Sequence, residues 1–247
     1  MLNAQFFTNT GQHRDKNEDA GGIFLNKTHQ QLLVLCDGMG GHQAGEIASQ
    51  FVTNELQSRF EQENLIEESQ AETWLRTTLK QINLELYYYA QEDPGYRGMG
   101  TTCVCALIFE KKVVIANIGD SRAYVVNSRE IEQLTQDHSF VNHLVMTGQI
   151  TEEEAFHHPQ KNIITRVMGT DKHVTPDIYF KRINYYNYLL LCSDGLTDYI
   201  RNDVIKDALL EELTIEQLGN KLIQLALDYQ SRDNISVILA AIEGDKV

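Results

Sequence analysis

Hydrophobic positions in the first half of the chain recur at the spacing of two amphipathic helices. Side chains three and four residues apart share one face of an α-helix, so each set predicts a helix that packs against a core. The first set is Ala44, Ile47, Ala48, Phe51, Val52, Leu56 and Phe60, and the second is Ala71, Leu75, Leu79, Ile82, Leu86 and Tyr89. The acidic stretch between them, EQENLIEES, is predicted to be a solvated connection.

Shorter apolar runs rich in β-branched residues predict strands. They are LLVLCDG, TTCVCALIF, KVVIANIG, RAYVV, YLLLCS and ISVILAAI. Only EKK and DS separate TTCVCALIF, KVVIANIG and RAYVV, so these three are predicted to pair consecutively as antiparallel strands. A further amphipathic helix is predicted at IEQLGNKLIQLALDY. Because the helices are grouped between runs of strands, α+β layers fit better than a strictly alternating parallel sheet.

One segment, Gln136 to Lys161, predicts two short helices. Gly148 separates them, Thr151 opens the second with a capping box, and Pro159 ends it. Such short elements bury little area and should open more easily than a sheet.

The chain has 247 residues, only three prolines and no Ser/Gly-rich linker, which favours one domain spanning residues 1–247. The N-terminus lacks a basic start followed by a long apolar run, and no window is apolar enough for membrane insertion. These features predict a cytoplasmic protein. The four cysteines lack CxxC spacing and are predicted to be reduced and packed as small hydrophobic residues: Cys36, Cys103, Cys105 and Cys192.

The formal net charge is −14, and no basic stripe is present, which argues against nucleic acid as a ligand. An acidic surface also repels anionic substrates. An anionic substrate would therefore need a local positive field that the side chains do not supply.

Carboxylates stand at the ends of several predicted strands, where they would converge on one rim of a sheet. Like charges gathered there repel one another unless a cation intervenes, and hard divalent cations prefer such oxygen ligands. Gly38, Gly40 and Gly41 would leave room for close approach to an ion. The carboxylates are Asp37, Asp120, Asp194 and Asp233, and HRDKNEDAGG adds Arg14, Glu18 and Asp19.

Taken together, these motifs resemble the metal-dependent protein phosphatases of the 2C type, in their short bacterial branch. The resemblance runs from Arg14 to Asn234 and rests on RDKNED, DGMGGHQAGE, GMGTT, NIGDSR, DHS, SDGLTD and DNISV. It implies a four-layer α-β-β-α sandwich, in which helices flank two antiparallel sheets. It also implies a site for two Mn²⁺ or Mg²⁺ ions at one end.

The resemblance further implies a role for each residue of the site. Asp37 would bridge the two metals, and the Gly38 carbonyl would ligate one of them. Asp194 and Asp233 would complete the other. Asp19 and Glu18 would hold metal-bound waters, Arg14 would bind phosphate through its guanidinium fork, and Asp120 would serve a weaker third metal site.

The implied activity is hydrolysis of phosphoserine and phosphothreonine in proteins by direct attack of a metal-bridging hydroxide. The enzyme would reverse a bacterial Ser/Thr protein kinase and act as a monomer. Met39 occupies the position at which the animal branch has a histidine, so His42 is the candidate general acid. Alternatively, His42 is a polar loop residue that orders the start of the helix. The segment Gln136 to Lys161 matches a flap beside the active site of bacterial relatives; the alternative is a packed surface excursion.

Other classes fit the sequence less well. No cysteine is followed six residues later by arginine, which argues against a cysteine-dependent phosphatase, and P-loop and D-x-D motifs are absent. A non-catalytic phosphoprotein-binding relative remains an alternative, but it would not need the full ligand set. A stress-response regulator of the same fold is a second alternative, although such proteins usually carry a sensor domain.

Overall fold

The computed structural model describes residues 1–40 and 44–242. Within these residues the strands are β1 (Asn3–Asn9), β2 (Asp19–Leu25), β3 (Gln31–Met39), β4 (Gly100–Thr101), β5 (Cys103–Ile108), β6 (Lys112–Ile118), β7 (Arg122–Val126), β8 (Ile131–Gln133), β9 (Asp177–Arg182), β10 (Tyr188–Cys192) and β11 (Ile235–Ala241). The helices are α1 (Ala44–Gln62), α2 (Glu68–Glu92), α3 (Phe140–Met146), α4 (Glu152–Phe156), α5 (Asp194–Thr197), α6 (Asn202–Leu209) and α7 (Ile215–Asp228).

Two antiparallel sheets form the centre of the molecule. One has the strand order β1-β11-β10-β7-β8, and the other has the order β2-β3-β5-β6-β9 with β4 paired to β3. Helices α1 and α2 cover the second sheet, and α5, α6 and α7 cover the first. The predicted four-layer α-β-β-α sandwich is therefore confirmed.

Three apolar clusters fill the spaces between the four layers. One lies between α1, α2 and the β3 sheet, one between the two sheets, and one between the β11 sheet and its helices. Central strands such as β3 and β5 are consequently buried on both faces, which explains why LLVLC and CVCALI are continuous apolar runs without alternation. All four cysteines are buried and free, as predicted.

The predicted consecutive pairing of the three middle strands is wrong at its last step. Strands β5 and β6 do pair, but β6 pairs next with β9, and β7 joins β10 and β8 in the other sheet. The short connection between β6 and β7, residues 119–121, therefore carries the chain from one sheet to the other. The prediction failed because a short connection favours a hairpin but does not require one.

Two smaller differences concern the connections. The stretch EQENLIEES is not wholly solvated, because Ile66 is buried in the cluster beneath α1 and α2, and its N–H donates to Gln30 Oε1. Strands β1, β2, β8 and β9 were not predicted. Their residues are only partly buried, so apolar runs do not mark them.

The two short helices predicted within Gln136–Lys161 are present as α3 and α4. Thr151 accepts a hydrogen bond from the Glu154 N–H, and the Glu154 carboxylate accepts from the Thr151 N–H, which completes the predicted capping box. Gly148 adopts a positive φ of 70° in the turn between the helices. Of the described residues, none belongs to a helix long and apolar enough to cross a membrane.

Candidate active site

Two of the predicted carboxylates face each other across neighbouring strands. Asp19 begins β2, and its partner in the β2–β3 register is Asp37. The Asp37 N–H donates to Thr102 Oγ1, and the Asp37 carbonyl accepts from the Thr102 N–H and from Thr101 Oγ1, each over 2.9 Å. The GMGTT motif thus fixes the backbone from which the Asp37 carboxylate projects.

Gly38 lies at a very close approach between strand and helix. A Cβ on this residue would lie 2.1 Å from the Gly45 carbonyl oxygen and 2.5 Å from that of Glu18, and the Gly38 N–H donates to the Glu18 carbonyl over 3.1 Å. The sequence alone favours the interpretation that Gly38 lacks a side chain so that an ion can approach closely. The structure gives another steric reason, because only glycine lets the start of α1 pack on β3.

Three more carboxylates join Asp37 and Asp19 from other elements. Asp194 is the first residue of α5, directly after β10; Asp233 precedes β11; and Asp120 follows β6. Burial raises the pKa of Asp37 well above its usual range, and Asp19, Asp194, Asp120 and Asp233 raise it further by charge repulsion. The five side chains therefore form one electrostatic cluster, to which both sheets contribute.

The other carboxylates of the cluster also have pKa values raised by burial and by neighbouring charges. Burial, opposed by hydrogen bonds from Ser236 and Ser193, raises the pKa of Asp19 to about 7. Burial and the charges of Asp137 and Asp198 raise the pKa of Asp120 to about 7, and burial and Asp120 raise that of Asp194 well above normal. Several ionised carboxylates in such a small volume require a counter-charge.

Buried carboxylate oxygens without partners show where that counter-charge could bind. Asp19 Oδ1, Asp120 Oδ1 and Asp194 Oδ1 are inaccessible to solvent and have no hydrogen-bond partner. Unpaired oxygen ligands of this kind suit Mn²⁺ or Mg²⁺. Among the described residues, no three acidic, histidine or cysteine side chains are placed so that they could hold a metal ion as they stand.

Arg14 lies at the solvent side of this cluster. Its Nη2 donates to Asp233 Oδ2 over 2.7 Å, and its Nε donates to the Arg232 carbonyl over 3.4 Å. Burial lowers the pKa of the Arg14 guanidinium, but the charges of Asp233, Glu18 and Asp37 raise it, and the net shift is upward. No described residue accepts a hydrogen bond from Nη1, so this edge of the guanidinium can bind an anion.

Glu18 and Arg14 share a loop that Asn234 holds in place. Asn234 Nδ2 donates to the carbonyls of Thr10 and Lys16, and Asn234 Oδ1 accepts from the Glu18 N–H, each over 2.8 Å. Burial and Asp233 raise the pKa of Glu18, whereas Arg14 lowers it, and the net shift is upward. Glu18 is therefore electrostatically linked to the cluster through Asp233 and to Arg14.

Two acidic residues near the site had no predicted role. Asp198 lies four residues after Asp194, and its charge raises the pKa of both Asp194 and Asp120. Asp137, in the DHS motif, accepts a bifurcated hydrogen bond from Arg122 Nε and another from Nη2, at distances between 2.6 and 3.0 Å. The i, i+4 spacing within SDGLTD could have identified Asp198.

His138 of the DHS motif ties the Asp120 loop to the segment with α3 and α4. Its Nδ1 accepts from the Gly119 N–H over 2.9 Å, and its backbone N–H donates to the Gly119 carbonyl. In the neutral ring Nε2 therefore carries the proton, and it lies 3.0 Å from Asp177 Oδ2 and 2.9 Å from Arg166 Nη1. Burial lowers the pKa of this imidazole, and its hydrogen bonds to Gly119 and Asp177 make His138 a structural link between the two segments.

A cavity of about 860 Å³ extends from Asp120 and Asp194 towards α3 and α4. Val141, Met146 and Phe156 line one side, and Thr197 and Ile200 line the other. The second predicted catalytic residue, His42, lies outside the described residues, as does Gly41.

The carboxylate cluster, the arginine beside it and the two-sheet sandwich define a phosphatase of the metal-dependent type, and comparison with known proteins agrees. The family model for protein phosphatase 2C matches residues 11–239. The serine/threonine phosphatase stp of Listeria monocytogenes is 39% identical over 239 residues, which cover 96% of this chain and 95% of that protein.

Solved structures lead to the same family. The crystal structure of the serine/threonine phosphatase Stp1 of Staphylococcus aureus is 72% identical, superposes with a TM-score of 0.97, and covers 99% of this chain and 96% of its own. The catalytic domain of the phosphatase PstP, solved in complex with 2 manganese ions, is 32% identical with a TM-score of 0.84, and the match covers 97% of each chain. The chain belongs to the protein phosphatase 2C family and is a protein serine/threonine phosphatase, as the sequence predicted.

Proposed function

We propose that this protein hydrolyses phosphoserine and phosphothreonine in protein substrates by a two-metal mechanism at the Asp37 cluster. The observation that carries the proposal is the convergence of buried, mutually repelling carboxylates with unpaired oxygens at one end of both sheets. When bound, divalent cations would activate a water nucleophile and polarise the phosphoryl oxygens. They would also provide the positive field that this acidic chain lacks.

The residues of the chain would bind the cations and orient the waters around them. Asp37 and the Gly38 carbonyl, together with Asp194 and Asp233, would hold the two cations. Asp19 and Glu18 would orient waters around them. Ser193 Oγ already donates to Asp19 Oδ2 over 3.0 Å, which fixes the Asp19 carboxylate and leaves its other oxygen for a ligand.

Arg14 would bind the phosphoryl group. Its Nη1 group would donate to a non-bridging oxygen, while Nη2 and Nε remain attached to the Asp233 carboxylate and the Arg232 carbonyl. The guanidinium is then held in place before substrate arrives, so that little orientation entropy is lost on binding. For protonation of the leaving serine or threonine oxygen, His42 remains the proposed general acid.

Asp120 would serve a third, weaker cation site beside the main pair. Asp198 and Asp137 are the acidic residues whose charges act on it most strongly, and Asp198 is proposed as a further contributor. A single carboxylate supported by neighbours that are paired with Lys161 and Arg122 gives a weaker site than the Asp37 cluster.

The biological setting is proposed on separate grounds. A protein phosphatase of this kind would reverse the action of a Ser/Thr protein kinase, with one chain of residues 1–247 acting as a monomeric catalytic domain. Four buried free thiols fit the reducing cytoplasm. No nucleic-acid ligand is expected, because the chain carries a net charge of −14.

The test is hydrolysis of an aryl phosphate and of a phosphopeptide with Mn²⁺ and with EDTA. Turnover should require the metal, and Asp37→Asn and Asp194→Asn should each reduce kcat by at least about a hundredfold, because each removes a charged ligand. Asp171→Asn, an exposed residue outside the cluster, serves as the control. Near-normal Mn²⁺-dependent turnover in either cluster variant would refute the two-metal assignment, and binding without turnover in the unmodified enzyme would favour a non-catalytic phosphoprotein binder.

A further inference from the structure

The lining of the cavity beneath α3 and α4 has an excess of acidic side chains over basic ones. Its lining includes seven acidic side chains and three basic ones. Each basic side chain is already paired with an acidic one: Arg122 with Asp137, Lys161 with Asp198, and Arg201 with Glu153. Four carboxylates remain, and two of them, Asp120 and Asp194, belong to the proposed metal cluster.

The other two carboxylates, Glu152 and Asp203, lie at the exposed rim of the cavity. Glu152 is in the first turn of α4, and Asp203 is in the first turn of α6, so they approach the opening from two sides. Among the described residues, neither forms a salt bridge. Asp203 acts on Arg201 through its charge, but the Arg201 guanidinium already donates two hydrogen bonds of 2.6 Å to Glu153. The rim therefore keeps a net negative charge.

The inside of the cavity has the features of a ligand site. Thr197 is 3% exposed and lines the wall, and its Oγ1 has no hydrogen-bond partner. A buried hydroxyl without a partner costs free energy in the free protein, which a ligand group can recover by bonding to it. The partly or largely exposed apolar side chains of Val145, Met146 and Phe156 supply contact surface for an aliphatic chain.

We propose that this cavity binds the residues next to the phosphorylated serine or threonine of a substrate protein, and that it selects a lysine or arginine there. The aliphatic stem of such a side chain would pack on the apolar wall, and its cationic end would lie between Glu152 and Asp203. A polar backbone group of the substrate would bond to Thr197. The inference rests on the proposed function, since the cavity is continuous with the cluster through Asp120 and Asp194.

The volume supports a peptide rather than a single small group. A cavity of about 860 Å³ lies within the range of pockets that enclose drug-sized ligands, so it holds more than one side chain. Because the phosphate itself is an anion and would be bound by cations and Arg14, the acidic rim does not assist phosphate binding. It discriminates instead between substrates by the charge beside the phosphate.

The test compares two phosphopeptides that differ only in one flanking residue, lysine in one and glutamate in the other, with that residue scanned through each position near the phosphoserine. At one or more positions the lysine peptide should have a kcat/KM about three- to tenfold higher, and the ratio should shrink with added salt. The Glu152→Gln/Asp203→Asn double variant should bring the ratio close to one.

The matched control is Glu212→Gln/Glu216→Gln, which removes two exposed charges, one of them also in the first turn of a helix, outside the cavity lining. It should keep the wild-type ratio. A wild-type ratio near one at every position would overturn the proposal, as would an unchanged ratio in the rim variant or an equal fall in the control. Failure of the proposed function is distinguished by a wild-type enzyme that does not hydrolyse aryl phosphate with Mn²⁺.

Discussion

Asn234 shows how one polar side chain can position several residues of the site. Its amide joins β11 to the loop that carries Arg14 and Glu18 through three hydrogen bonds, and Asn234 itself is buried. Asn234→Ala should lower the free energy of unfolding by about 2–3 kcal/mol, because each hydrogen bond contributes about 1 kcal/mol. It should also raise KM for aryl phosphate, because Arg14 loses its anchored loop.

Chemical denaturation and steady-state kinetics check both effects. Asn220→Ala is the control, because this exposed asparagine on α7 donates only to the Glu216 carbonyl one turn earlier. A destabilised Asn234→Ala enzyme with an unchanged KM would mean that the loop does not position Arg14.

A substitution at Asp120 should affect catalysis much more than it affects tight metal binding. It lies where the chain passes from one sheet to the other, and the carboxylate charges that raise its pKa most are those of Asp137 and Asp198 rather than that of Asp37. Asp120→Ala should keep two tightly bound metals and lose most of the catalytic rate. Calorimetric titration with Mn²⁺ beside kcat measurements tests this, and loss of a tight site would place Asp120 in the main pair.

The sequence predicts the roles of some residues of this site but not of others. Carboxylates at strand ends are visible as short local patterns, so Asp37, Asp120, Asp194 and Asp233 could be proposed from the order of residues alone. Asn234 could not be given a role, because its partners lie 216 to 224 residues away along the chain. The sequence also explains only part of the need for glycine at position 38, because the contact that excludes a side chain there comes from Gly45.

At the scale of elements, the sequence predicts strands well and their partners less well. Continuous apolar runs marked β3, β5, β6, β10 and β11, because both faces of these strands are buried. The half-exposed strands β1, β2 and β9 lack that signal. The passage of β7 to the other sheet was missed because pairing depends on long-range packing, whereas the connection before it is only a few residues long.

The segment with α3 and α4 should affect protein substrates more than small ones. Met146 is 65% exposed at the end of α3, and a Cβ on Gly148 would contact nothing within 4 Å, so the turn between the helices is open to solvent. Contacts between this turn and the protein part of a substrate can help align the phosphate for attack.

Replacing residues 146–150 with a glycine-serine linker of equal length should therefore lower kcat/KM for phosphopeptides by about tenfold, and for aryl phosphate far less. Parallel kinetics on the two substrates measure the difference. A glycine-serine replacement of residues 210–213, in the exposed connection between α6 and α7, provides the control. Equal losses on both substrates would show that the segment supports the metal cluster or the fold instead.

At the scale of the whole molecule, burial and mutual repulsion of the ionised carboxylates in the cluster oppose folding. Asp19, Asp37 and Asp120 come from the β3 sheet or its ends, whereas Asp194 and Asp233 come from the other sheet. Repulsion among them acts between the two halves of the sandwich. Divalent cations that bind all of them would therefore connect the sheets as well as carry out chemistry.

Mn²⁺ should consequently raise the thermal unfolding midpoint of the protein. At a free concentration of about one hundred times Kd, binding to one site stabilises the folded state by about 2.7 kcal/mol, which corresponds to an increase of about 5–10 °C for a domain of this size. Asp194→Asn should show a smaller increase, because a ligand is lost. Its metal-free form should unfold at a higher temperature than the metal-free wild type, because burial and four neighbouring carboxylates disfavour the ionised Asp194. Differential scanning calorimetry in EDTA and in Mn²⁺ compares these four states, and a metal-free variant that unfolds below the wild type would show that Asp194 stabilises the fold even without cations.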